Sequence, residues 1–275
     1  NSITPNQIDS ILVAENEADA NRSRLSYNLN YRFNDQKNSR SLNIDLDYGT
    51  FSNEIERFQP NRYYDLSNNL LTENISRFST PTDIDIYTLK TDYETNFLGG
   101  KLGLGAKISQ VISDNTFRVS DEINGESILN DIRSNTFRYS EKVYAGYFSY
   151  NRNLNGKINL SAGLRAEQTD ATGNLKAFLI NLQEPPVELN YLSWFPNAGI
   201  TYSVSPQNSF ALNYSRRIDR PDYNVLNPFN NQLSELSYQK GNPTLSPEIV
   251  NNIELGYTYK FRYNFKIAYS KTIDQ

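Results

Sequence analysis

Cysteine and histidine are both absent from this sequence. Without cysteine there is no disulfide and no thiolate metal site. Without histidine the commonest general base and the commonest metal ligand are gone, so Ser–His–Asp catalysis and ordinary zinc chemistry are excluded by inventory. Methionine is also missing, and nothing physical in the sequence accounts for that. No run of about 18 apolar residues occurs, which excludes a membrane-spanning helix. A barrel strand, whose apolar residues fall at every second position, stays open. The formal net charge of -4 lacks the basic excess that phosphate binding needs, so no nucleic-acid partner is expected. The opening "NSITPNQIDS" has neither a basic region nor the apolar core of a secretory signal, and reads as the start of a mature chain or a fragment.

What is plentiful is aromatic: 20 Tyr and 14 Phe among 275 residues, too many for a disordered chain. They fall in a period of two. In "RLSYNLNYRF", Leu25, Tyr27, Leu29, Tyr31 and Phe33 share one face, with Ser26, Asn28, Asn30 and Arg32 on the other. In "SLNIDLDYGTF", Leu42, Ile44, Leu46 and Tyr48 oppose Asn43, Asp45 and Asp47. Strict alternation over such lengths predicts strands, and the short polar break between two of them predicts a hairpin. The same unit recurs around "ETNFLGG", "LNG", "PQN" and "RYN", giving about ten strands in five hairpins. The phase slips near Tyr87, which predicts a bulge.

Between hairpins lie long segments, 52–82, 113–137, 171–188 and 218–246, read as loops. Short turns and long loops alternate, as in an outer-membrane barrel with short periplasmic turns and long extracellular loops. The alternating runs, roughly 10–16 residues, exceed the usual soluble strand and suit a tilted membrane strand. Tyr48, Tyr93, Tyr150, Tyr257 and Tyr259 lie near strand ends, where an interfacial girdle needs amphipathic rings. Energetics set the orientation. Arg32, Asp45, Asp47, Lys107, Arg165 and Glu167 share the polar phase, and one Lys or Arg facing mid-bilayer lipid costs about 2–4 kcal/mol. The apolar face must therefore be outside. The expected fold is an all-β, antiparallel transmembrane β-barrel, part of a larger one. Residues 1–20 form a linker or extended entry segment and 21–275 the barrel hairpins.

Several residues are candidates for chemistry. Arg216, Arg217 and Arg220, with Asp219, suit capture of an anionic substrate, or equally the pairing of rim arginines with carboxylates. Tyr63 and Tyr64, in "RFQPNRYYDLSNN", are placed on an outside loop, where they stack on a ligand or pack within the loop. Asp45 with Asp47, and Asp83 and Asp85 with Asp92, read as lumen-lining carboxylates rather than an acid–base pair. "DEINGE", Asp121 to Glu126, reads as a solvated loop without the ligand spacing of an EF-hand. Pro221, Pro228, Pro243 and Pro247 stiffen their loop, and Gly241 supplies a turn of positive φ. No catalytic residue, metal site or cofactor is assigned.

With the hairpins placed, "YSRRIDRPDYNVLNPF" and "YQKGNPTLSPEIVNNIELGYTYK" resemble the outer-membrane barrel domain of TonB-dependent receptors from Bacteroidota. The matching positions are Tyr214 to Pro221, Leu226 to Phe229, Gly241 to Glu248 and Asn252 to Tyr257. "WFPNAGITYSVS", "GLRAEQTDATG" and "NRSRLSYNLNYRFND" are similar to their counterparts. The resemblance implies a barrel of about 22 strands with a plugged lumen, importing a scarce nutrient (siderophore, vitamin, peptide or glycan) with energy relayed through TonB. The implied partners are outer-membrane lipid, TonB through a plug domain absent from this chain, and a surface lipoprotein or complex subunits. The plug and TonB box of that family are not recognisable here, and about half its strands are present. Two alternatives stay open: a non-transporting barrel acting as scaffold, adhesin or secretion component, and a soluble all-β binding domain.

Overall fold

A computed structural model describes residues 10–221, 223–227, 230–234, 237–242 and 244–274. Twelve strands form one antiparallel sheet. They are β1 (Ile11–Ala14), β2 (Glu17–Asp35), β3 (Arg40–Tyr64), β4 (Leu70–Phe97), β5 (Gly100–Ile123), β6 (Glu126–Leu129), β7 (Asn135–Leu154), β8 (Ile158–Ala177), β9 (Val187–Ser205), β10 (Asn208–Asp219), β13 (Glu248–Tyr259) and β14 (Tyr263–Asp274). A separate hairpin, β11 (Asn230–Ser234) with β12 (Ser237–Lys240), lies between β10 and β13 in the chain. The ten long strands make the five expected hairpins. The turns between their partners are tight, as at Leu98–Gly99 and Asn155–Gly156, where φ is positive at both residues.

Long strands replace most of the expected loops. Segment 52–82 is the continuation of β3 and β4, which pair from Arg40↔Thr95 to Tyr64↔Leu70. Segment 113–137 is largely β5, β6 and β7, and "DEINGE" is the Asn124–Gly125 hairpin turn between β5 and β6. The entry segment is strand from Ile11, with β1 and then β2 on the same edge of β3.

The two ends of the strands obey opposite rules. Toward the tight turns, the outer face carries Leu25, Leu29, Phe33, Leu104, Phe148, Trp194, Leu212, Leu255 and Ile267, all exposed. This belt crosses all ten long strands, far beyond the few hundred Å² of apolar patch that a soluble monomer shows. From Leu25 to Phe33 it spans about 27 Å along the strand, close to the height of a barrel's lipid band. The inner face opposite is polar: Asn28 donates to Asp47 at 2.6 Å, Asn30 to Asp45 at 2.5 Å, and Lys90 pairs with Asp92 at 2.7 Å.

Toward the long connections the polarity reverses. Phe78, Phe117, Val119, Val143, Phe137, Tyr139, Ala171 and Leu175 turn inward and are buried, while Asp83, Asp85, Asp114 and Arg138 face outward. On β4 the switch falls between Ile86, inner, and Tyr87, outer. The β3–β4 and β4–β5 ladders pass this point with no register shift. The expected bulge is absent; the change of phase comes from the surroundings, lipid outside one half and water outside the other. Asp83 and Asp85 are consequently outer-face residues, not lumen-lining ones, and Tyr48 donates to Asp85 at 2.9 Å on that outer face.

Candidate functional site

The inner face of the loop-side half is where the chain concentrates buried charge, amides and aromatics. Two connections fold onto it. One is 130–134, between β6 and β7. Ser134 is fully buried and its hydroxyl accepts from the Val119 amide at 3.0 Å. Arg133 donates to Asp121 at 2.9 Å and to Ser76 at 3.1 Å. Its guanidinium lies 5.4 Å from the Phe78 ring, with that of Arg57 4.6 Å from the same ring. Burial holds Arg57 below its ordinary pKa.

The other connection leaves β10. Beyond Asp219 the chain turns inward through Pro221 and a 3₁₀ turn, Tyr223–Leu226. Leu226 is 3 % exposed and packs on Phe137, Tyr139, Ala171 and Leu175, with Leu189 beside them. The return limb is tied to this strap: the Gly241 amide donates to the Asn227 carbonyl at 3.0 Å and Asn242 to that of Val225 at 2.8 Å. A Cβ at 241 would overlap those two carbonyl oxygens. Gly241 is thus required by close approach. The described glycines of positive φ are Gly99, Gly125 and Gly156, so the expected positive φ at 241 is corrected. Pro228, Phe229 and Pro243 lie outside the described residues.

Arg220 pins the strap. One Nη donates to Glu167 at 2.8 Å and to Thr169 at 3.1 Å, and its Nε stands 3.9 Å from Glu141. Glu141 in turn accepts from the Tyr139 hydroxyl at 3.0 Å, and Glu167 from Arg165 at 2.5 Å. Burial works to lower the Arg220 pKa, but the Glu167 hydrogen bond and the surrounding charges outweigh it and raise it.

The predicted residues are dispersed by strand parity. Arg217 faces inward, exposed; Arg216 has the opposite parity, opposite Asn251. Neither has an ion pair among the described residues, and the Arg216 Nε is buried without a hydrogen-bond partner there. Tyr63 and Tyr64 are not on a loop. They end β3, paired with Leu12 and Ile11 of β1, one on each face. Six strand steps separate β3 from β10, about 29 Å along the sheet, so the tyrosines and the arginines form no common site. Sequence reasoning missed Glu141, Leu226 and Asn135. The buried Asn135 amide has no hydrogen-bond partner among the described residues. None of the three breaks its local pattern, and their roles depend on contacts between distant strands.

Among the described residues no group of three carboxylates could hold a metal ion. The inner face of this half offers hydrogen bonding, charge and aromatic surface, the means of non-covalent capture.

A model of the outer membrane protein β-barrel family matches residues 16–275. The fold is similar to the ferric yersiniabactin uptake receptor of Yersinia pestis, with a TM-score of 0.50 at 12 % identity, covering 85 % of this chain and 36 % of that one. It is similar also to the ferric-catecholate import receptor of E. coli K12, with a TM-score of 0.51 at 13 % identity, covering 85 % and 41 %. This chain therefore spans well under half the length of either. No curated protein matches the sequence.

Proposed function

We infer that this chain, which belongs to the outer membrane protein β-barrel family and sits in the outer membrane, forms part of the wall and outer mouth of a nutrient-uptake receptor. The exposed apolar belt excludes the soluble all-β alternative. The reading rests above all on the loop-side half: strands run on past the lipid zone, and two connections fold inward where a ligand would enter. Tight turns then face the periplasm and the long ends face outside. Energy comes from TonB through a plug domain, as the TonB-dependent resemblance implies, and the cargo class is a siderophore, vitamin, peptide or glycan.

The candidate residues take different parts in this reading. Arg217, inward and unpaired among the described residues, is the anion-capturing group. Arg220 holds the strap. Tyr63 offers an aromatic surface on the inner face far from the arginines, while Arg216 and Tyr64, of outer-face parity, serve the rim. No step is covalent.

Uptake by the full-length receptor in cells with and without TonB tests the whole reading. Binding that persists without TonB while accumulation stops supports it. Accumulation indifferent to TonB, or no capture of any cargo class, favours the scaffold alternative. Within the receptor, Arg217→Ala should weaken capture of an anionic cargo about 10- to 150-fold, the worth of one charge-assisted hydrogen bond.

A further inference from the structure

The turn-side rim carries a charge imbalance that cargo capture does not use. The chain is net acidic, at -4, yet its five tight turns hold Lys37, Lys157, Lys260 and Arg262 and no carboxylate. Arg152 stands beside them on the outer face of β7. The carboxylates flanking the turns are already neutralised, Asp35 by Arg40 at 3.1 Å and Glu94 by Lys101 at 2.5 Å. The other five cations are exposed and have no ion pair among the described residues.

The β13–β14 turn adds a second observation. Lys260 and Phe261 adopt φ of 50° and 53°, a region that bulky side chains avoid and that Asn–Gly fills in the β7–β8 turn. Phe261 is 82 % exposed. The Lys260 ammonium lies 5.2 Å from the Tyr259 ring and the Arg262 guanidinium 5.9 Å from that of Tyr263. Those tyrosines close the apolar belt. The turn thus presents one apolar ring between two cations at the level where lipid tails give way to headgroups, where aromatic and basic side chains gather.

We propose that this rim binds the phosphate headgroups of anionic phospholipids in the leaflet around the turns. Phe261 sits at the boundary of headgroup and acyl chain, and Lys260, Arg262, Lys157 and Arg152 hold the phosphates. The choice of leaflet rests on the periplasmic placement of the turns; the chemistry does not.

The test uses the full-length barrel reconstituted from equimolar phosphatidylcholine and phosphatidylglycerol, then released into detergent, with retained lipid counted by native mass spectrometry. Phosphatidylglycerol should be retained preferentially. Since each cation at an anionic surface is worth about fivefold, the double variant Lys260→Ser, Arg262→Ser should cut the preference at least about tenfold. Phe261→Asn, which relieves the backbone, should lower retention while leaving thermal stability equal or higher, so a folding defect is not mistaken for a binding one. Equal retention of both lipids, or a preference untouched by these variants, overturns the site. In a parallel mixture that also contains lipid A, retention of lipid A but not phosphatidylglycerol overturns the phospholipid as its occupant. These 275 residues hold no cysteine, so Asn155→Cys labels one turn, read against the full-length barrel without the substitution. Reaction with an impermeant maleimide in intact cells overturns the periplasmic placement, whereas protected turns without lipid preference overturn the lipid site alone.

Discussion

Arg220 satisfies one buried carboxylate directly and stands close to a second, so deleting it leaves Glu167 to Arg165 and Glu141 to the Tyr139 hydroxyl, each a charge partner short. Removing one partner of a buried pair is expensive even where the pair itself adds little. With Glu141 and Glu167 6 % and 7 % exposed, Arg220→Leu should loosen the strap by about 1–3 kcal/mol. Hydrogen exchange at the Gly241 and Asn242 amides reads this directly; unchanged protection would show that Leu226 holds the strap unaided. Asp65 illustrates a charge held by a turn. Its carboxylate accepts from the Asn69 side chain at 2.9 Å and from the Ser67 and Asn69 amides at 2.8 Å each. These bonds, that of the Asn69 side chain foremost, hold its pKa below the usual value against the opposing effect of burial. A depressed folded pKa contributes stability above the unfolded value of about 3.9, lost as pH falls through the folded one. The Ser67 and Asn69 amides should stay protected at neutral pH and open only as pH falls below the ordinary carboxylate range and through the depressed folded pKa, and Asp65→Asn should remove that dependence. Parity along β10 already separates Arg216 from Arg217 in the sequence. The partners of Arg220 were illegible there, because Glu167 and Glu141 reach it only through the register of three neighbouring strands.

At the scale of the strand, the turn-side halves were legible because one face meets lipid and the other water, and alternation records that contrast residue by residue. The loop-side halves were read as loops. Their alternation is present, as in Phe117 and Val119 against Thr116 and Arg118, but in the opposite sense to that of the turn-side halves, with the apolar residues inside. The inward return through 220–221 and 223–227 left no periodic trace. The two halves predict different outcomes for one kind of substitution. Leu255→Lys or Leu160→Lys, on the lipid face, should cost about 2–4 kcal/mol and block membrane assembly, while Asn159→Lys on the inner face is tolerated. Val119→Lys, inner but buried under Ser134, should also destabilise. Heat-modifiable migration of the full-length barrel measures all four, and equal folding of the set would refute the assigned faces.

For the whole molecule, the sheet has two free edges. β2 and β14 each pair on one side only among the described residues. The twelve residues of β14 leave about six N–H and six C=O groups unpaired, each costing several kcal/mol where it meets hydrocarbon. The 275-residue chain alone should therefore form mixed oligomers in detergent rather than a discrete heat-modifiable monomer, and adding strands that cap β14 should restore one. A sharp, monodisperse monomer would instead mean that β2 and β14 close on each other. The reversal of polarity near Tyr87 also acts as a waterline. A bilayer thickened by one residue pair, about 7 Å, cannot climb past Asp85, Gln110 and Lys142 on the outer face. Any mismatch in thickness must be absorbed at the tight-turn end, so lipid there should thin or swell while the opposite surface stays level.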